Sequence, residues 1–511
     1  MYMRMAVGTL ALVAGCVRAG AALAAQSSPV DATLARIQHI VVLYAENRSF
    51  DNLFGLFPGA DGIAQAPKDA GTQRDRDGSV LPVLPRVWNG AGPDFDPRFG
   101  TALPNAPYRI DAAPAGLAPS LATRDLVHRY YQNIEQIDGG RNDRFAAVSD
   151  AGGLTMGHYD GSVLALWQLA REFTLADHFF MGAFGGSFIN HVWLACGCVG
   201  RYPDAPDSIR SRLDAQGRLL RKAGSPASAL AGPVQWQQDG AVTPDGYAVN
   251  TMQPPYQPSG IAPAKDGDPQ LADPARRPLP AQDAPTIGDR LTERSISWAW
   301  YAGGWNRAVA DSALSGGTSR GVIYSNQPGA VNFQPHHQPF NYFSRYAPGT
   351  AARREHLKDE ADLLEDLVRD RLPQVAFYKP NGDVNQHPGY TDVASGDRHI
   401  ADLIGRIRAS PAWTSTLIIV TYDENGGFWD HVPPPSGPGY GDRWGPGTRV
   451  PAILISPFVK KGYVDHTPYD TGSILRLLRR RFALAPLPDA RDKLGDLTGA
   501  LQAPAPPYSA P

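Results

Sequence analysis

Cysteine is nearly absent, with three in 511 residues. That excludes a large disulfide framework, so the fold must rest on its own core. Charge of one sign is lacking too. The 48 Lys and Arg are matched by 50 Asp and Glu with no block of like charge, which argues against nucleic acid as the main ligand. Past the N-terminus no run is long and apolar enough to span a bilayer, and no transmembrane helix is expected. What is abundant is punctuation. The 53 glycines and 47 prolines fall mainly outside the periodic segments, so much of the chain is loop laid over a compact scaffold, and loops of that kind carry sites. The length exceeds the usual single core, although one decorated α/β domain can reach it.

The N-terminus has Arg4, an apolar run too short to cross a membrane, then the small-residue tripeptide Ala22-Leu23-Ala24. It is read as a signal peptide over residues 1–25, and the protein as exported, periplasmic or secreted. Val13-Ala14-Gly15-Cys16 offers a second outcome, a lipid anchor through Cys16 at a membrane surface. Ordinary cleavage is preferred because Arg18 and another apolar stretch follow that cysteine. Cys196 and Cys198 then remain. A bridge between residues two apart stands level with two small buried side chains, and metal binding by the pair alone ranks last.

Short apolar, β-branched runs recur at 39–47, 297–303, 375–380, 416–425 and 451–458, most ending in polar residues. They predict buried strands. Amphipathic segments at 160–173, 355–371, 397–410 and 471–484 predict helices between or after them. This alternation implies an α/β fold with a mostly parallel central sheet covered by helices on both faces. Residues 58–120 and 200–285 show little periodicity and read as insertions. The stretch 311–350 is irregular as well.

In an open α/β sheet, ligands bind beyond the carboxyl ends of the strands. Two predicted strands end in acid there: Glu46-Asn47 follows Val41-Val42-Leu43-Tyr44-Ala45, and Asp423-Glu424 follows Ile418-Ile419-Val420-Thr421-Tyr422. Either pair alone reads as a polar strand end or helix cap. Together, three carboxylates and an amide oxygen form a hard ligand set for one divalent cation, which removes the repulsion among them. Mg, Mn, Ca and Zn all remain admissible.

Phe184-Gly185-Gly186-Ser187-Phe188-Ile189-Asn190-His191 leads into a helix-like stretch ending near Ala195. The glycines permit a tight turn and close approach to an anion at the helix start. On physical grounds alone Ser187 reads as an N-cap. Next to a cation its hydroxyl becomes a nucleophile without a neighbouring histidine. His191, one turn on, can face the same side. His128, His336, His337, His387 and His431 all lie in polar or loop-like sequence, and such side chains can neutralise a phosphoryl group or protonate a leaving oxygen.

Three segments carry a resemblance: Ile40 to Asp51, Ser187 to His191, and Thr421 to Pro435 with its Asp-Glu-Asn-Gly-Gly-Phe-Trp-Asp-His. In order and spacing they resemble the bacterial phosphoesterase family of acid phosphatases and phospholipases C. The resemblance implies an alkaline-phosphatase-like fold and a single decorated domain over 36–490, with 491–511 an irregular tail. It also implies a metal held by Glu46, Asn47, Ser187, Asp423 and Glu424, with Ser187, His128, His337 and His387 catalytic. Asn47, His336 and His191 are expected to contact substrate. For Asp430 and His431 loop bracing is preferred to a catalytic role.

Serine in place of the threonine frequent among the phospholipases C, and a chain that stops soon after its last helix, point to the acid phosphatase branch, whose acidic optimum is implied with it. The expectation is an exported, metal-dependent phosphomonoesterase working through a phosphoserine, taking phosphorylated small molecules or phospholipid head groups. A phospholipase C is the alternative, and a non-catalytic surface protein that binds phosphate or lipid head groups is a remote one.

Overall fold

A computed structural model describes residues 28–90, 94–313, 321–325, 327, 330–488 and 491–503. The expected signal segment and Cys16 lie outside these residues. The main sheet has eight strands: β1 (His39–Ala45), β2 (Thr174–Ala176), β3 (Trp298–Ala302), β4 (Leu357–Asp359), β5 (Val375–Lys379), β6 (Thr416–Tyr422), β7 (Ala452–Ile455) and β8 (Tyr463–Asp465). Their order is β8-β2-β7-β6-β1-β5-β3-β4. Every pairing is parallel except the two made by β7, which runs antiparallel to both neighbours. The mostly parallel α/β class expected from the alternation is thus the observed one.

Burial explains the apolar composition of the central strands. All seven residues of β6, and all of β1 but His39, are buried. Each fully buried Val, Ile or Leu there contributes about 1.5–3 kcal/mol relative to exposure. Helices α1 (Phe50–Phe54), α2 (Tyr130–Ile137), α3 (Ala165–Glu172), α4 (Ser187–Cys196), α5 (Glu360–Val368), α6 (Val393–Ala409) and α7 (Thr471–Phe482) flank the sheet. Of these, α6 packs on α3 and α7 on α4.

The segment 355–371, expected as one helix, is interrupted. Leu357–Asp359 pairs with Trp300–Ala302 as the edge strand β4, and Asp359 then starts α5 through a capping box with Asp362. The helix expected from 397 begins four residues earlier, because Asp392 caps it by accepting from the Ser395 N–H. The described residues of 58–120 and 200–285 contain only short 3₁₀ turns, one two-residue strand and isolated bridges. Of the expected tail, the described part is packed: Leu497 and Ala500 are buried, and the Arg491 guanidinium reaches Asp470 at 2.9 Å. Cys196 and Cys198 are bridged at the end of α4.

One buried ion-pair set ties the loops together. Arg449, with no exposed side-chain surface, donates from Nε to Asp430 at 2.9 Å and from Nη2 to Asp51 at 3.1 Å. His431 Nδ1 lies 2.7 Å from Asp51. The Asp430-His431 pair thus sits in a loop brace and not beside Ser187. Arg449→Met strands two buried carboxylates, and is expected to lower unfolding free energy by about 3–5 kcal/mol in urea denaturation. A change within about 1 kcal/mol would sink this account.

The same set has a pH signature. Burial opposes charge on His431, but its bond to Asp51 and the nearby carboxylates outweigh that and hold its pKa at about 9. Asp430, raised by burial to about 6, is ionised above that. The His431 contribution is therefore complete below the unfolded value of about 6.5 and is lost as pH rises through about 9. Urea midpoints should fall across this window in wild type, with a flatter decline in His431→Gln.

Candidate active site

The register of β1 with β6 builds the site. Ala45 pairs with Tyr422, so Glu46 and Asp423 leave adjacent strands side by side. On the other flank β5 pairs parallel to β1 and ends in Lys379. Glu46, Asp423, Glu424 and Lys379 are all fully buried. Lys379 Nζ stands 3.3 Å from Glu46 and 3.5 Å from Asp423. Asn47 adopts a left-handed φ of 64°, which asparagine tolerates better than most residues. Its backbone N–H donates to Asp423 at 3.2 Å.

Ser187 opens α4, but it is not the cap. Gly186 occupies that position, and no side chain caps the helix. The hydroxyl is free to turn to the strand ends, where Oγ lies 3.2 Å from Glu46 Oε1, 3.2 Å from Asn47 Oδ1 and 3.4 Å from Glu424 Oε1. The preceding glycines have a steric reason. A Cβ on Gly186 would sit 2.6 Å from the His128 carbonyl oxygen, and one on Gly185, at φ 101°, 2.7 Å from the Tyr130 nitrogen.

The histidines converge on the same place. His128 Nε2 is 3.4 Å from the Asn47 amide and 3.5 Å from Glu424, and its ring meets that of His387 edge-on at 5.5 Å. His337 Nε2 is 3.0 Å from Glu46, with His336 packed on its ring at 4.6 Å. His191, expected as a substrate contact, is wholly buried, as Glu46 and Asn47 are. Its Nδ1 lies 2.7 Å from the Ser187 carbonyl oxygen and its ring stacks on His337 at 5.1 Å, so it braces the helix start from behind.

Two further contributors escaped the sequence reading. Lys379 was visible only as the residue before the proline that closes the 375–380 run. Asn385, in the loop before His387, donates its side-chain amide to Glu46, and nothing in its local sequence singled it out.

Electrostatics separate the two imidazole groups. Burial disfavours the charged form of His128, but Glu424 and Asp125 outweigh it and raise the pKa to about 9. Burial lowers His337 to about 4 against the pull of Glu46. Burial also raises Asp423 and Glu424, and for Asp423 the Glu46 charge adds to it. Three buried carboxylates outnumber the cationic groups beside them, Lys379 and His128, and a divalent cation fits that excess. The donors on hand mix carboxylate, amide, hydroxyl and imidazole, since Glu46, His336 and His337 also bring ligand atoms within 4.8 Å of one another.

A cleft of about 300 Å³ abuts Gly186 and His128. Arg124, Asp125, Arg129, Asp150, Asn250 and Thr251 share its wall with Leu126, Val127, Phe188 and Val249.

The phosphoesterase family model matches residues 37–485. This chain belongs to the phosphoesterase family. Its relatives within that family include phospholipase C B of Mycobacterium tuberculosis (strain ATCC 25618 / H37Rv), 27% identical over 94% of this chain and 80% of that one. A non-hemolytic phospholipase C of Burkholderia pseudomallei (strain K96243) is 25% identical over 100% of this chain and 66% of that one. Non-specific phospholipase C1 of Arabidopsis thaliana is 32% identical over 32% of each. A solved protein of the alkaline phosphatase superfamily from Vibrio parahaemolyticus overlaps 76% of this chain and 75% of its own at 10% identity and a TM-score of 0.31, a distant likeness on which no chemistry rests. As a member of the phosphoesterase family with such relatives, the chain is a phosphoric ester hydrolase. Among its described residues no helix is long and apolar enough to cross a membrane.

The geometry of Gly186 gives a direct check on the family site. Gly186→Ala is expected to keep the far-UV spectrum while lowering kcat about 100-fold, the scale of a 1 Å misplacement. Wild-type kcat in this variant would show that the approach of the His128 segment to the helix start is dispensable.

Proposed function

We propose that this phosphoesterase is a phosphomonoesterase of the acid phosphatase type, with Ser187 as nucleophile and a phosphoserine intermediate. The observation that carries the nucleophile assignment is the Ser187 hydroxyl itself. It is released from capping and surrounded at 3.2–3.4 Å by Glu46, Asn47 and Glu424.

Glu46, Asn47, Asp423, Glu424 and Ser187 are the residues that would hold a divalent cation. When bound, such a cation lowers the pKa of the serine hydroxyl and offsets charge on the phosphoryl oxygens. The chain's own groups do the rest. Ser187 Oγ attacks phosphorus in line, and its proton leaves toward Glu46 or Glu424, the two carboxylates it faces. The backbone at the start of α4, opened by Gly185 and Gly186, admits the phosphoryl oxygens. His128, 3.4 Å from the Asn47 amide, faces them as a hydrogen-bond donor, and His387 stands against its ring. His337 is kept neutral by burial and serves by orienting Glu46, while the leaving oxygen takes a proton from the His128–His387 side. Water then attacks the phosphoserine and gives a proton back to the His128–His387 side, and as the bond from phosphorus to Ser187 Oγ breaks, that oxygen recovers the proton held by Glu46 or Glu424, freeing phosphate.

The charged and polar part of the cleft beside Gly186 and His128, with Arg124 and Arg129 in its wall, supports a small anionic phosphomonoester, while Leu126, Val127, Phe188 and Val249 line the rest. A second reading, a phospholipase C acting on phosphodiester lipids, is favoured by the names of the relatives. The same set of reacting groups serves both, and only the entrance differs. Export supports either, because it would place the enzyme with extracytoplasmic phosphoesters.

Ser187→Ala should keep the fold and lose turnover of p-nitrophenyl phosphate by on the order of 10⁴-fold or more. Asp423→Asn should weaken metal retention as well as rate, and thorough chelation should abolish wild-type activity. Near-normal turnover in Ser187→Ala refutes the nucleophile. Wild-type enzyme faster on phosphatidylcholine than on p-nitrophenyl phosphate, compared at acidic and neutral pH, transfers the chain to the second reading.

A further inference from the structure

A second cluster of ligating side chains lies at the far edge of the sheet. Strands β2 and β8 run parallel with Ala176 opposite Asp465, so Asp177 and His466 leave the sheet next to each other and His178 follows. Asp177 has no exposed side-chain surface. One of its carboxylate oxygens is 3.0 Å from His178 Nδ1, and the other is 2.8 Å from His466 Nδ1. Donor atoms of all three residues fall within 4.8 Å of one another.

Two features separate this cluster from an ordinary hydrogen-bonded one. First, no arginine or lysine side chain pairs with the Asp177 carboxylate among the described residues; its ion-pair partners are the two imidazoles. The adjacent Asp51-Asp430-His431 cluster makes the contrast, because there the Arg449 guanidinium already takes the cation's place. Second, the other ring nitrogen of His178, Nε2, lies 3.2 Å from Asp61. That is the carboxylate–histidine pairing which fixes the tautomer and orientation of a metal-ligating imidazole. Asp61 is itself positioned: its backbone N–H donates to Asp177 at 2.7 Å, and its remaining oxygen is 3.2 Å from His431 Nε2.

We propose that Asp177, His178 and His466 form a zinc site, with Asp61 as the outer partner of His178 and water in the fourth position. Two imidazoles and one carboxylate suit Zn²⁺ in a tetrahedral shell. With bonds of about 2.0–2.2 Å, tetrahedral donors stand roughly 3.3–3.5 Å apart, so the 2.8 and 3.0 Å contacts open slightly while the whole set, already within 4.8 Å, closes onto the ion. His466 is 59% exposed and His178 21%, which leaves the ion open to exchange with solvent. The bound ion pins the edge strand β8 to β2, and through Asp61 it grips the loop that follows α1.

The test uses the full chain, stripped with chelator, reloaded with Zn²⁺ and desalted, with zinc per chain measured by plasma mass spectrometry. Wild type and His466→Ala share every residue of the Ser187 site, so metal held there contributes equally to both. Wild type is expected to retain one zinc more than His466→Ala, and Asp61→Asn to need about 10–100-fold more free zinc for the same loading. Zinc should also raise the melting temperature more in wild type than in His466→Ala, while the two melt alike in chelator. Equal zinc content in wild type and His466→Ala, or an equal zinc-dependent rise in melting temperature, overturns the proposal.

Discussion

Glu46, Asp423 and Glu424 are buried together at the ends of the two central strands, and most of the molecule's polar architecture follows from that concentration of negative charge. An isolated carboxylate taken from water into a protein interior costs several kcal/mol even after relaxation. Three of them persist only where compensating groups are brought in and kept in place. Lys379 arrives on the neighbouring strand, Asn385 and His337 reach Glu46 from separate loops, and His128 approaches Glu424 from a third. The register of β1 against β6 leaves no freedom in this. With Ala45 opposite Tyr422, the next residue of each strand must share one place, and the surrounding loops are shaped to neutralise it.

The loops then need anchors of their own, which explains a second charged layer. Arg449 joins Asp430, just past the Asp423-Glu424 strand end, to Asp51 on α1, just past the Glu46-Asn47 strand end. Ser49 adds a parallel tie by donating its hydroxyl to the Trp429 carbonyl at 2.7 Å. The two acidic loops are thus cross-linked one turn beyond the residues that face Ser187. Gly426, at φ 61°, sits against the Asn47 backbone where a side chain would clash, so this contact is closed at the level of the main chain. The Asp-Glu-Asn-Gly-Gly-Phe-Trp-Asp-His segment carries both layers.

How much of this could be read from sequence depended on whether a residue's role is local. The strands, their acidic ends and the mostly parallel class follow from runs of β-branched residues and what terminates them, and they stand in the structure. Lys379 was missed because a lysine ending a strand looks like a solvated charge; only its lateral neighbours, Glu46 and Asp423, make it internal. Asn385 has no periodic or motif signal at all. The interruption of 355–371 escaped because Leu357 and Asp359 satisfy a helical pattern as well as a strand, and the choice is made by pairing with Trp300–Ala302. For Cys196 and Cys198 the spacing left bridge and free thiols level, and the turn after α4 brings them together.

Ser187 shows how a weak local preference is overturned by its surroundings. A serine at a helix start ordinarily lends its oxygen to the orphan N–H groups of the first turn. Here the chain begins the helix one residue earlier, with Gly186 as the flanking residue, and Ser187 becomes the first helical position. Gly186 can hold that place because it alone tolerates the His128 carbonyl beside it. The hydroxyl, relieved of the cap, points at three acceptors on two strands. His191 then closes the circuit: one ring nitrogen meets the Ser187 carbonyl, and its face lies on His337, which holds Glu46. The nucleophile's backbone and the carboxylate it faces are therefore positioned through one continuous set of contacts, so the helix start and the strand end move together or not at all.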